Sequence, residues 1–231
     1  MSLQRVLPDG GCAFRAVATS FVYQVIGINI GSGTPDGYEN TFKDIIANVC
    51  AKWLRRLAVL ALCSTRGNSI DVCTELSTSP DTMMSFLQVL TRANHTFQQN
   101  GIQYCGTSAQ RLNLSRVLQP PSKFVGRCAP RRKMPTGLTA EALVETSNQT
   151  FRQYCTRMGR DFTWGGEPEL YVLSTFVLQL PIVVLNHAGE ELQSYNKEWG
   201  TAHVVKLQFS GNNHYDAIID LPDSVPPLFL L

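Results

Sequence analysis

"LPDGGCAFRA", residues 7–16, sets a cysteine directly behind Asp-Gly-Gly and then runs into an apolar stretch. Phe14, Val17, Phe21, Val22 and Val25 recur close to i, i+3, i+4, i+7 spacing, which predicts a helix over 12–26 with Cys12 in its first turn. A thiol in that place sits at the positive end of the helix dipole, which favours thiolate. The two glycines let the backbone turn sharply and leave amides free to face a developing oxyanion. Asp9 can order the turn by accepting hydrogen bonds from those same amides. Alone, the stretch fits two readings equally well: a structural thiol buried after a tight turn, or a nucleophile.

A nucleophilic thiol needs a base. Of the histidines at 95, 187, 203 and 214, His214 stands apart because "NNHYDAII" (212–219) places Asp216 two residues on. On a strand, residues 214 and 216 project on one face. The carboxylate can then bond the imidazole and fix its tautomer. The other three histidines read as structural or solvated.

The wider chain reads as a globular protein. Its 231 residues fit one domain spanning 1–231, and 44% hydrophobic residues suffice for a sizeable core. A net charge of +2 gives no argument for nucleic acid or a membrane surface. No apolar run is long enough to span a bilayer, and Asp9 and the glycines interrupt any signal peptide. Seven cysteines, an odd number without a C-x-x-C pair, predict free thiols in a reduced compartment and no zinc site.

Helical periodicity predicts a helix over 41–63, with Ile45, Ile46, Val49, Trp53, Leu57 and Leu60 buried and Arg55 and Arg56 solvated. It also predicts one at 81–93 and recovers over 138–158, where Leu138-Thr139-Ala140-Glu141 resembles a capped start. Leu170, Leu173 and Val177 mark a further helix. "GINIGSGTPDGYEN" (27–40) lacks the Lys-Ser/Thr ending of a phosphate loop and reads as surface loop, as does the Pro- and Arg-rich 118–137. "PIVVLN" (181–186), "HVVKLQF" (203–209) and "HYDAIID" (214–220) predict strands. The adjacent Val204 and Val205 predict that the middle one is buried on both faces. Helices followed by clustered strands make the fold class α/β (α+β).

"PDGGCAF", "WGGEPEL" and "NHYDAII" together resemble, in order and context, the motifs of the ovarian tumour (OTU) family of papain-like cysteine proteases. The resemblance implies a central sheet packed between helical layers, with the active site between the Cys helix and the His strand. It assigns Cys12 as nucleophile, His214 as general base and Asp216 as the acid that orients it. Asp9 would shape the oxyanion loop, with the amides of Gly10, Gly11 and Cys12 as donors. Trp164 matches an aromatic near the catalytic centre, though a core role fits it equally. Gly165 and Gly166 would serve the helix entry, and Glu169 would be a carboxylate at the helix start.

The implied activity is hydrolysis of the isopeptide bond after the C-terminal glycine of ubiquitin or a ubiquitin-like modifier, without metal or organic cofactor. Ubiquitin and its conjugates are the implied partners, and the cytoplasm (of a host, for a viral or effector protein) the implied location. Two alternatives are a viral polyprotein-processing protease and a silent ubiquitin-binding module; the intact Cys12, His214 and Asp216 argue against the second. The chain departs from the family pattern at Gly11, where Asn or Asp is usual, and in the divergent region 27–160.

Overall fold

A computed structural model describes residues 2–21, 50–63, 133–145, 148–178, 180–200 and 203–219. The expected loop at 27–40, the helix at 81–93, the start of the 41–63 helix and most of 118–137 lie outside these residues.

The architecture is mixed α/β, as expected. Among the described residues five strands form one sheet in the order β1-β5-β4-β2-β3: β1 Ser2–Gln4, β2 Ile182–Leu185, β3 Glu191–Tyr195, β4 Val205–Phe209 and β5 Tyr215–Ile219. β2 and β4 run parallel, and the other pairs are antiparallel. The register aligns Ile182 with Val205, Val184 with Leu207, and Leu207 with Ala217. These residues share one face, and all are buried in the core with Ala16, Val17 and Phe21.

β4 corrects one expectation. The strand begins at Val205, so Val204 precedes it rather than pairing within it. Val205 and Leu207 are buried while Lys206 and Gln208 stay half-buried, a period-2 pattern of one apolar face. β1 and β3 were not expected at all.

Helix α1, Cys12–Ser20, lies against β4 and β5 and is buried almost all round. Its outer side meets α2, Ala51–Cys63. Ser20 fastens the end of α1 to the sheet: its Oγ accepts from the Lys206 amide at 3.0 Å and donates to the Ile218 carbonyl at 3.4 Å. The 138–158 stretch forms two helices, α3 Ala140–Glu145 and α4 Phe151–Met158. Thr139 Oγ1 accepts the Ala142 amide at 3.1 Å, the capped start the sequence indicates. α4 needs its own start, because Asn148 is left-handed at φ 54° and Thr150 is extended. Thr150 and Gln153 then close a reciprocal capping box. α5, Glu167–Val172, continues as a π-helical turn over Leu173–Leu178.

Candidate active site

The site is assembled from the two ends of the described chain. The segment 9–12 closes as a turn, with the Cys12 amide donating to the Asp9 carbonyl at 3.0 Å. The Gly11 amide donates to Asp9 Oδ1 at 2.7 Å, and Arg15, one turn into α1, forms an ion pair with the same oxygen. Two of the three loop amides suggested as oxyanion donors therefore already have acceptors in this structure. Gly11 is also the position where the family pattern has a side chain. A Cβ there would lie 3.0 Å from Asp9 Oδ1 and 3.1 Å from Arg15 Nη1, so the Asp9–Arg15 pair fills that space.

His214 is presented by the β4–β5 hairpin. Phe209 pairs with Tyr215, and the intervening loop turns through left-handed Gly211 and Asn213. The Ser210 amide and hydroxyl both donate to the His214 carbonyl, at 3.0 and 3.2 Å. The His214 ring meets Asp216 through Nε2 and Oδ1 at 3.0 Å, while its Nδ1 is buried with no hydrogen-bond partner among the described residues. Asp216 Oδ1 also accepts the Val6 amide at 2.9 Å, so the segment after β1 helps hold the carboxylate.

Cys12 is 1% exposed and its thiol donates to the carbonyl of Asn213, the neighbour of His214, at 3.6 Å. Burial raises its pKa above the ordinary thiol value. The Tyr215 and Ala13 amides pull it down, nearby Asp9 adds a smaller upward push, and Arg15 opposes that push. The expected preference for thiolate is thus outweighed in this resting arrangement. Asp9 shows the opposite balance: partial burial pushes its carboxyl up, but Arg15 and the Gly11 amide hold it below the usual value.

The Trp-Gly-Gly segment completes the surroundings. Trp164 is 47% exposed and is therefore not a core residue. Phe162 is left-handed at φ 63° and turns its carbonyl against Gly10, where a Cβ would lie 1.7 Å from that oxygen. Gly165 packs on Phe14, where a Cβ would lie 2.8 Å from the ring. Glu169 is fully buried; its Oε2 accepts the Gly166 amide at 2.8 Å and its Oε1 the Tyr154 hydroxyl at 2.7 Å. It holds the start of α5, as its place in the motif suggested.

Arg55 was expected on a solvated face and is 3% exposed. Only Lys52 and Arg56 form the exposed edge of the described part of α2. The guanidinium of Arg55 is drawn inward because it meets the carbonyls of Met158, Thr163 and Gly10 at 3.1, 2.9 and 3.0 Å. It lies 4.4 Å from the centre of the Phe14 ring. Sequence periodicity missed this residue because it sorts charges outward; a cation on a helix whose exposed stripe is that narrow was the available signal. Among the described residues no cluster of His, Cys, Asp or Glu could hold a metal ion.

A thiol at a helix start beside a His–Asp pair is the arrangement of a cysteine hydrolase. Comparison with known proteins agrees: residues 135–215 match the family model described as OTU-like cysteine protease. Over 99 residues the chain is 37% identical to OVARIAN TUMOR DOMAIN-containing deubiquitinating enzyme 3 of Arabidopsis thaliana, covering 34% of this chain and 42% of that protein. Over 113 residues it is 30% identical to deubiquitinating enzyme 4 of the same series and plant, covering 41% of this chain and 35% of that one. The matched part therefore spans less than half the length of either relative. A solved OTU domain in complex with ubiquitin aligns with 94% of this chain and 67% of its own, at 15% identity and a TM-score of 0.41. Residues 135–215 are thus similar to the OTU-like cysteine proteases, which bears out the family resemblance read from the sequence.

Proposed function

We propose that the protein is a deubiquitinating cysteine protease that hydrolyses the isopeptide bond after the C-terminal glycine of ubiquitin or a ubiquitin-like modifier. The observation that carries this reading is the His214–Asp216 pair at 3.0 Å beside the carbonyl that receives the Cys12 thiol. Two relatives named as deubiquitinating enzymes support the choice of substrate.

The geometry divides the roles. With Nε2–H directed at Asp216, the neutral ring carries its lone pair on Nδ1, which has no partner among the described residues. Nδ1 is then the nitrogen that takes the thiol proton. The Cys12 thiolate attacks the glycine carbonyl, and the protonated ring returns the proton to the departing lysine amine. Water, deprotonated by the same nitrogen, releases the thioester. Asp216 keeps the ring in this tautomer and supplies the counter-charge. A thiol buried as deeply as Cys12 is reached by a slender chain, and a tail ending in two glycines is slender. Trp164, exposed next to Gly165, offers an apolar surface to that tail. The free thiols of Cys12, Cys50 and Cys155 suit a cytoplasmic setting.

The test is incubation with ubiquitin bearing a C-terminal electrophile. A covalent adduct that is absent in Cys12→Ala is expected. No adduct with ubiquitin or any ubiquitin-like probe sinks the reading, and cleavage of a precursor junction instead selects the polyprotein-processing alternative.

A further inference from the structure

The turn before Cys12 has a choice of conformations that its sequence does not settle. Gly11 lies at φ −92°, ψ −3°, the values of the third residue of a type I turn, and the Cys12 amide closes the turn on the Asp9 carbonyl. Glycine at this position equally admits the type II turn, in which the central peptide is reversed and the third residue takes positive φ. Glycine on both sides of the Gly10–Gly11 peptide leaves little steric resistance to that reversal. Something outside the turn must select.

The Gly10 carbonyl and the Gly11 amide belong to one planar peptide and point in opposite directions. The carbonyl accepts from Arg55 Nη2 at 3.0 Å, and the amide donates to Asp9 Oδ1 at 2.7 Å. The central peptide is held at both ends. Arg55 Nη1 simultaneously holds the Thr163 and Met158 carbonyls, so the peptide is referenced to the segment leading into Trp164 and Gly165.

We propose that Arg55 is a positioning residue: with Asp9 it locks the Gly10–Gly11 peptide in the type I orientation, in which the Gly11 amide is engaged by Asp9, and thereby sets the backbone of the turn on which the Gly10 and Cys12 amides depend for their direction. The kinetic part of this inference rests on the proposed deubiquitinase activity; the structural part does not. Arg55 acts through the loop and has no contact with reacting atoms.

Two variants test it. Arg55→Lys keeps a charge, on a single nitrogen, but has no planar fork to span three carbonyls. Arg55→Met keeps a stem over Phe14 and removes every donor. Both are assayed for turnover of a fluorogenic ubiquitin C-terminal amide, for Cys12 alkylation by iodoacetamide, and for amide exchange. Alkylation builds no oxyanion, so loss of loop orientation leaves it within about 3-fold of wild type, while kcat falls by about 10-fold or more at nearly constant KM. Exchange should accelerate at residues 9–12 and stay unchanged in β4 and β5. Equal changes in alkylation and kcat, or exchange accelerated throughout, overturn the proposal in favour of a purely structural role. So does wild-type kcat in Arg55→Met, or failure of both variants to fold. If the wild type itself does not turn over the ubiquitin amide, the functional reading falls separately; unchanged exchange at 9–12 in Arg55→Met then overturns the positioning role.

Discussion

Asp216 carries two loads on a single oxygen, the His214 ring and the Val6 amide. Substituting it therefore separates chemistry from folding only with the right replacement. Asp216→Asn keeps the shape, and its carbonyl oxygen can accept both the Val6 amide and the ring N–H, as the Asn of a Cys-His-Asn triad does. We expect it to keep turnover within about 10-fold, with little change in melting temperature. Asp216→Ala should lower turnover by about 100-fold or more and also cost about 1–3 kcal/mol in denaturant unfolding, because a buried acceptor is removed. Unchanged turnover in Asp216→Ala would mean that another group orients His214. At this scale the motif chemistry was legible: a Cys after Asp-Gly-Gly and a His two residues before Asp are local patterns. Arg15 and Arg55 were not, because their partners are an oxygen of Asp9 and backbone carbonyls that only the folded chain brings near.

The elements divide along the same line. β2, β4 and β5 announce themselves through Val and Ile at buried positions; the structure takes one residue from each end of the span expected for β2, two from the start of that for β4 and one from the start of that for β5. β3, with the sequence ELQSY, hides because it is the sheet edge; Glu191 and Leu192 are exposed, so no apolar alternation marks it. β1 is too short for any period to show. Periodicity over 138–158 merged two helices, because the break depends on a left-handed Asn148 and a cap rather than on hydrophobic spacing. That cap has a measurable weight. Thr150→Ala removes the oxygen that accepts the Gln153 amide, and should cost about 1 kcal/mol in equilibrium unfolding. Thr150→Ser should recover most of it. A loss confined to α4 matters for the site, since the Met158 carbonyl at its end is one of the three that Arg55 holds.

For the whole molecule, stability is linked to pH through the loop that carries the nucleophile. Partial burial works against the Asp9 charge, but Arg15 and the Gly11 amide prevail and lower its pKa on folding. A carboxyl of that kind contributes stability that is complete above its unfolded pKa and is lost as pH falls through the lower folded value. Asp9→Asn should accordingly flatten the acid side of the stability–pH curve, measured by urea unfolding at a series of pH values; an unchanged acid limb would show that the pair adds nothing to folding. The site also has a temporal consequence. The Val6 amide and the Asp216 carboxylate meet across 210 positions of sequence. Contacts so remote form late, after the entropy of closing a very long loop has been overcome. On a ribosome adding about 5–20 residues per second, the Cys12 thiol waits on the order of 10–40 s for His214 to be synthesised. A nascent chain thus carries its cysteine through that whole interval with no base beside it, and competence arrives late, when β5 joins the sheet.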